Sequence, residues 1–158
     1  MDAVTFQSEV LKIERLLYHV AYTALGNRQE CADAVQEALL RAWKKRGSLR
    51  SQDHFKAWMV RILLNTIADG KRRGKLPTTE LSDTLPAEER PDNLPLYEAL
   101  RALPEGMRYA VVLVYLDGCT MRECAKMLRV PEGILVQNEN MASSLALLCN
   151  HLSQRLNG

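Results

Sequence analysis

Between Leu76 and Leu96 the chain carries four prolines, Pro77, Pro86, Pro91 and Pro95, set among Thr, Ser, Asp and Glu. A segment of that composition buries too little apolar surface to offset the entropy of ordering itself, and its prolines interrupt any helix. It reads as a linker. The 158 residues are then two small units on either side of it rather than one continuous fold.

Charge follows the same division. Residues 1–76 hold 14 Lys and Arg against 8 Asp and Glu, residues 77–98 hold 1 against 6, and residues 99–158 hold 6 against 5. The net charge of +2 therefore hides a basic head, an acidic linker and a nearly neutral tail. The acidic linker either folds back on the basic head or is a solvated spacer.

In the first unit three helices are predicted from apolar residues recurring at three and four. The first runs from Val10 to Leu25, with Leu11, Ile13, Leu16, Leu17, Val20, Ala21 and Ala24 on its stripe, and Gly26-Asn27 stops it. The second runs from about Glu30 to Lys45, with Cys31, Ala34, Val35, Ala38, Leu39, Ala42 and Trp43 on one side. Asp33, Gln36, Glu37, Leu40 and Arg41 lie on the other, a mixed polar and apolar surface suited to a protein partner. After a basic, polar loop from Arg46 to Asp53, a third helix opens at Phe55 and continues to about Lys71. Phe55, Trp58, Ile62 and Leu63 read as its core, while Lys56, Arg61, Asn65, Lys71, Arg72 and Arg73 are placed to reach phosphate or an exposed base.

In the second unit a helix leads to Pro104 and another follows it, ending at Asp117-Gly118. Thr120 with Glu123 three residues later is a capping-box signature for a short helix ending at Leu128. Pro131 suits the first turn of a further helix. Helix, short turn and helix have the dimensions of a helix-turn-helix, with Thr120, Arg122, Arg129, Gln137 and Asn138 as its positions of interest.

Chemistry of other kinds finds little support. Cys31, Cys119, Cys124 and Cys149 form no CxxC pair, and a zinc site from Cys119, Cys124, Cys149 and His151 would have poor spacing, so reduced, packed thiols are expected and no metal. His19, His54 and His151 are scattered, with no nucleophile-base pair and no Gly-rich phosphate loop, so neither an enzyme nor a cofactor is expected. With no run of 18 apolar residues and no basic-then-apolar leader, the expected location is the cytoplasm, away from any membrane.

Three stretches, in order, resemble the extracytoplasmic-function (ECF) group of bacterial RNA polymerase sigma factors. "LGNRQECADAVQEALLRAW" resembles the family's polymerase-docking helix, and "FKAWMVRILLNTIADGKRR" its promoter-melting helix. "LRALPEGMRYAVVLVYLDGCTMRECAKMLRVPEGI" resembles the start of its promoter-binding helix-turn-helix domain. The resemblance implies an all-α fold of two small helical domains: a three-helix region 2 domain at 1–76, a flexible linker at 77–96 and a region 4 domain at 97–158. It implies that Asp33, Gln36, Glu37, Leu40 and Arg41 meet the coiled coil of the polymerase largest subunit. It also implies that Asn65 and the loop from Ser48 to His54 read a base turned out of the minus-ten element. Core RNA polymerase and promoter DNA are the implied partners.

The chain departs from the family after "PEG", where the family continues into a threonine-led stretch rich in Arg and Lys. Here no Lys or Arg occurs from Val130 through Gln154, so Gln137 and Asn138 would contact bases without electrostatic support. Instead Ile134, Leu135, Met141, Ala142, Leu145, Leu148, Cys149, Leu152 and Leu156 form a broad apolar stripe. That stripe is either ordinary core or a surface for self-association, for an anti-sigma protein or for the first domain. The competing reading is a sigma-like interaction protein that binds polymerase or a regulator without independent upstream-element binding.

Overall fold

The computed structural model describes residues 1–74, 100, 103, 105–131 and 133. Outside the described residues lie the expected linker from 77 to 96, Gln137 and Asn138, and the apolar stripe from Ile134 onward. The chain divides into two compact units, Met1–Leu85 and Pro86–Gly158. Among the described residues every regular element is helical, and the fold is all-α.

Three helices make up the described part of the first unit: α1 (Ala3–Leu25), α2 (Arg28–Lys44) and α3 (Phe55–Arg72). α1 starts seven residues before the predicted Val10 because Asp2 caps it, its carboxylate accepting the Thr5 backbone N–H at 2.7 Å. The added turns bring in Phe6, which packs edge-on against Trp43 (centroids 5.2 Å apart) and Phe55 (5.7 Å). This aromatic cluster ties all three helices together. Leu11, expected on the buried stripe, is 61% exposed; the buried phase runs instead through Phe6, Ile13, Leu17, Val20 and Ala24.

Gly26 ends α1 in the left-handed conformation, φ 66°, and its N–H donates to the Tyr22 carbonyl at 2.9 Å. Asn27 then caps α2, accepting the Glu30 N–H at 3.0 Å. Cys31, Ala34, Val35, Ala38 and Ala42 are buried as predicted, and these small residues allow α2 close to its neighbours; Leu39 and Trp43 are only half-buried. The loop after α2 contains two short 3-10 turns, Arg46–Ser48 and Gln52–His54. In the first, Arg46 lies over the Trp43 ring at 3.8 Å and donates to the Trp43 carbonyl at 2.7 Å. α3 buries Phe55, Met59, Val60, Ile62, Leu63, Thr66 and Ile67. Trp58, expected in the core, is half-buried and leans on Phe55 at 5.7 Å.

In the second unit α4 (Glu105–Val111) continues as a π turn, Val112–Leu116, before α5 (Met121–Leu128). Between them Gly118 takes φ 67°, as the predicted turn requires, and Cys119 N–H closes it on the Leu113 carbonyl at 2.9 Å. The capping box is present in full: Glu123 N–H donates to Thr120 Oγ1 at 3.0 Å and Thr120 N–H to Glu123 Oε1 at 3.3 Å. α5 buries Cys124, Ala125 and Met127 on one side. Among the described residues no helix is long and apolar enough to cross a membrane.

Candidate partner and nucleic-acid interfaces

α2 presents one face to the core and the other to solvent. Asp33, Gln36, Glu37 and Leu40 are all exposed, and Leu40, 53% exposed, places an aliphatic side chain amid the acids. Such a patch, with an apolar centre and charged flanks, is the anatomy of a protein-binding surface. Asp33 is held in place by Gln29, whose amide donates to it at 3.0 Å.

Arg41 differs from its neighbours. It is only partly exposed, and its guanidinium is divided between two acids: Nε donates to Glu37 at 3.2 Å on the same helix, and Nη1 to Asp69 of α3 at 2.9 Å. Arg41 is thus a tie between helices as well as a member of the face. Those two acids hold the guanidinium pKa up, Asp69 the more strongly.

α3 carries the cations. Asn65, Arg72 and Arg73 are exposed, while Lys56, Arg61 and Lys71 are half-buried. Arg61 Nε is buried without a hydrogen-bond partner, so the stem of this residue packs against the protein and only the end of its guanidinium has reach. Arg72 is paired with Asp69, one turn before it. Asp69 is the sole acid of α3, and its carboxyl is held below the usual range, first by the hydrogen bond from Arg41 and then by the charges of Arg72, Arg41 and Arg73. Asp69 is not legible in the sequence, because its partner Arg41 lies 28 positions away.

On the second unit Thr120 is the cap of α5 and has a structural part to play there. Arg122 is exposed on the first turn of α5, and Arg129 ends that helix in the left-handed conformation, φ 57°. Gln137 and Asn138 lie outside the described residues. Cys31 and Cys124 are buried, and burial pushes each thiol up to about 12. Such thiols pack as small apolar groups.

Sequence comparison places the chain in a family. The model of sigma-70 region 2 matches residues 10–76, which include all of α2 and α3, and that of sigma-70 region 4 matches residues 93–133. The ECF RNA polymerase sigma factor SigM of Mycobacterium tuberculosis is 31% identical over 162 residues, covering 99% of this chain and 83% of the relative. The chain belongs to the ECF sigma factors. The ECF RNA polymerase sigma-E factor of Escherichia coli K12 is 33% identical over 125 residues, or 64% of this chain and 63% of its own length. Among solved structures, the sigma factor RpoE of Bartonella quintana, crystallised with the anti-sigma factor NepR, matches with a TM-score of 0.69 over 96% of both chains at 21% identity. That likeness bears on the fold. Membership assigns the chain to transcription initiation as a sigma factor of RNA polymerase.

Proposed function

We propose that the first unit does most of the work of this sigma factor: the α2 face docks core RNA polymerase and α3 engages promoter DNA as it opens. The observation that supports this is the separation of the two surfaces. The exposed acids and Leu40 stand on α2, while Asn65, Lys71 and Arg72 stand on α3, with Arg73 as its C-cap. Cations hold the phosphate backbone and a polar side chain meets an unstacked base, which is the mixture that strand opening requires. Asp33, Gln36, Glu37, Leu40 and Arg41 are the proposed polymerase contacts; Lys56, Arg61, Asn65, Lys71, Arg72 and Arg73 are the proposed DNA contacts. The proposed domain limits are 1–76 and 97–158, joined by the acidic linker. The protein acts in the cytoplasm, where polymerase is, and works by binding rather than by catalysing a reaction of its own.

The second unit is assigned a lesser part in DNA affinity. Phosphate neutralisation supplies much of that affinity, and the 25 positions from Val130 to Gln154 hold no Lys or Arg. This favours, as a second reading, a factor that depends on another protein for upstream-element binding. Reversing both charges on the docking face, Asp33→Arg with Glu37→Arg, tests the first reading. Co-purification with core polymerase should fall by at least about tenfold, as loss of central interface contacts does, with far-ultraviolet circular dichroism unchanged. Undiminished co-purification would remove α2 as the docking face.

A further inference from the structure

Four charged groups of alternating sign run from the α2 face to the end of α3: Glu37, Arg41, Asp69 and Arg72. Asp69 stands at the junction. One of its oxygens, Oδ2, accepts from Arg41, and the other, Oδ1, from Arg72. Arg41 is shared in the same way, between Glu37 and Asp69. Each shared member has a fixed amount of charge to divide between two partners, so a change at one end of the chain alters the hold at the other.

From this arrangement we infer that Asp69 is a positioning residue, which holds Arg72 on the protein and is itself held by Arg41, so that a partner on the α2 face sets how freely Arg72 reaches phosphate. The inference rests on the reading of α3 as the nucleic-acid face. A cation from a partner that takes Glu37 leaves Arg41 to Asp69 alone. The better-neutralised carboxylate then releases Arg72. By reciprocity, phosphate that takes Arg72 leaves Asp69 to Arg41 and frees Glu37 for the partner. Arg72 is mostly exposed and water screens the chain, so the linkage is a matter of a few-fold and not of an on-off switch.

The test is a double-mutant cycle in the full chain, read as anisotropy of a labelled single-stranded oligothymidylate across a salt series. Arg72→Gln should weaken binding and reduce the salt slope by about one counterion. Asp69→Asn should tighten binding roughly two- to fivefold, the range set by an exposed ion pair, and steepen the slope. In the Arg72→Gln background that gain should vanish. Asp69→Glu, which keeps the charge, should restore the original affinity. A gain that persists without Arg72 would mean that Asp69 acts as a distant charge only, and would overturn the inference while leaving α3 as the DNA face. If Asp69→Asn instead lowers affinity, or leaves it unchanged, the inference is likewise overturned. An Arg72→Gln variant with unaltered affinity and slope would overturn both the inference and the reading of α3. Should Asp69→Asn unfold, Arg41→Gln carries the cycle: Asp69 is then left to Arg72, and binding should weaken in the wild-type background but no further in the Arg72→Gln one, additive weakening being the contrary result.

Discussion

Both units bury apolar side chains completely, and they differ in the length of their helices and in where their cations stand. In the first, helices of 23, 17 and 18 residues share one buried aromatic and aliphatic core, and each is long enough for tertiary packing to decide its stability. In the second, α4 with its π turn and the 8-residue α5 bury Val112, Leu113, Cys124 and Met127, and local devices set their ends: a glycine turn and a complete capping box. The contrast extends to charge. α3 ends in Lys71 and Arg72 with Arg73 as its C-cap, whereas the 25 positions from Val130 to Gln154 hold no Lys or Arg. In the first unit Asp69, paired with Arg41 and Arg72, offsets part of that cation cluster's repulsion.

Truncating the core should separate the units most sharply. Leu63 is fully buried at the centre of α3, and Leu63→Ala should destabilise the first unit by about 2 to 5 kcal/mol, through lost burial and the cavity left behind. Thermal unfolding followed by circular dichroism should then show two steps, the earlier belonging to the first unit. A single unshifted transition would mean that the core is not organised around Leu63. Thiol labelling gives a finer comparison. Cys31 is 1% exposed and Cys124 0%, so any difference in their alkylation below the unfolding temperature reports opening of the units rather than static access. Raised thiol values protect both groups near neutral pH, and that contribution to stability is lost only as pH climbs from the free-thiol value toward about 12. Mass spectrometry should find Cys124, on the 8-residue α5, modified roughly tenfold faster than Cys31, on the 17-residue α2, and equal rates would mean that helix length does not set local opening. The smallest effect is expected at the cap. Thr120→Ala should cost about 1 kcal/mol in the second unit and leave the Leu63-dependent step where it was.

Legibility in the sequence tracks the range of each interaction. The capping box at Thr120, the turn at Gly118 and the stop at Gly26 were all visible, because each depends on residues within a few positions. The fold class and the region 2 and region 4 assignment were visible as well, since apolar periodicity and motif order carry them. Phe6 was not, as Gln7, Ser8 and Glu9 separate it from the next apolar residue and hide its phase; only its rings against Trp43 and Phe55 show where α1 begins its work. Trp58 reads as core by spacing but is half-buried, its ring lying against the fully buried Phe55. Of the proposed docking face, the Glu37–Arg41 pair at i,i+4 was open to inspection, while the Arg41–Asp69 pair joins two helices and no pattern within either one announces it.

On the proposed reading, promoter engagement resides chiefly in α3 of the first unit. Run-off transcription with core polymerase and the full chain, on promoter DNA at several salt concentrations, tests it most directly. Removing two proposed phosphate contacts with Arg72→Ala and Arg73→Ala should lower initiation by about tenfold or more at low salt, with the deficit narrowing as salt rises because fewer contacts make a shallower salt slope. Replacing Gln137 and Asn138 by alanine should change it by less than about twofold, since these positions have no cations beside them. The opposite ranking, with the α3 arginines dispensable and Gln137 and Asn138 essential, would contradict the account and return promoter recognition to the second unit.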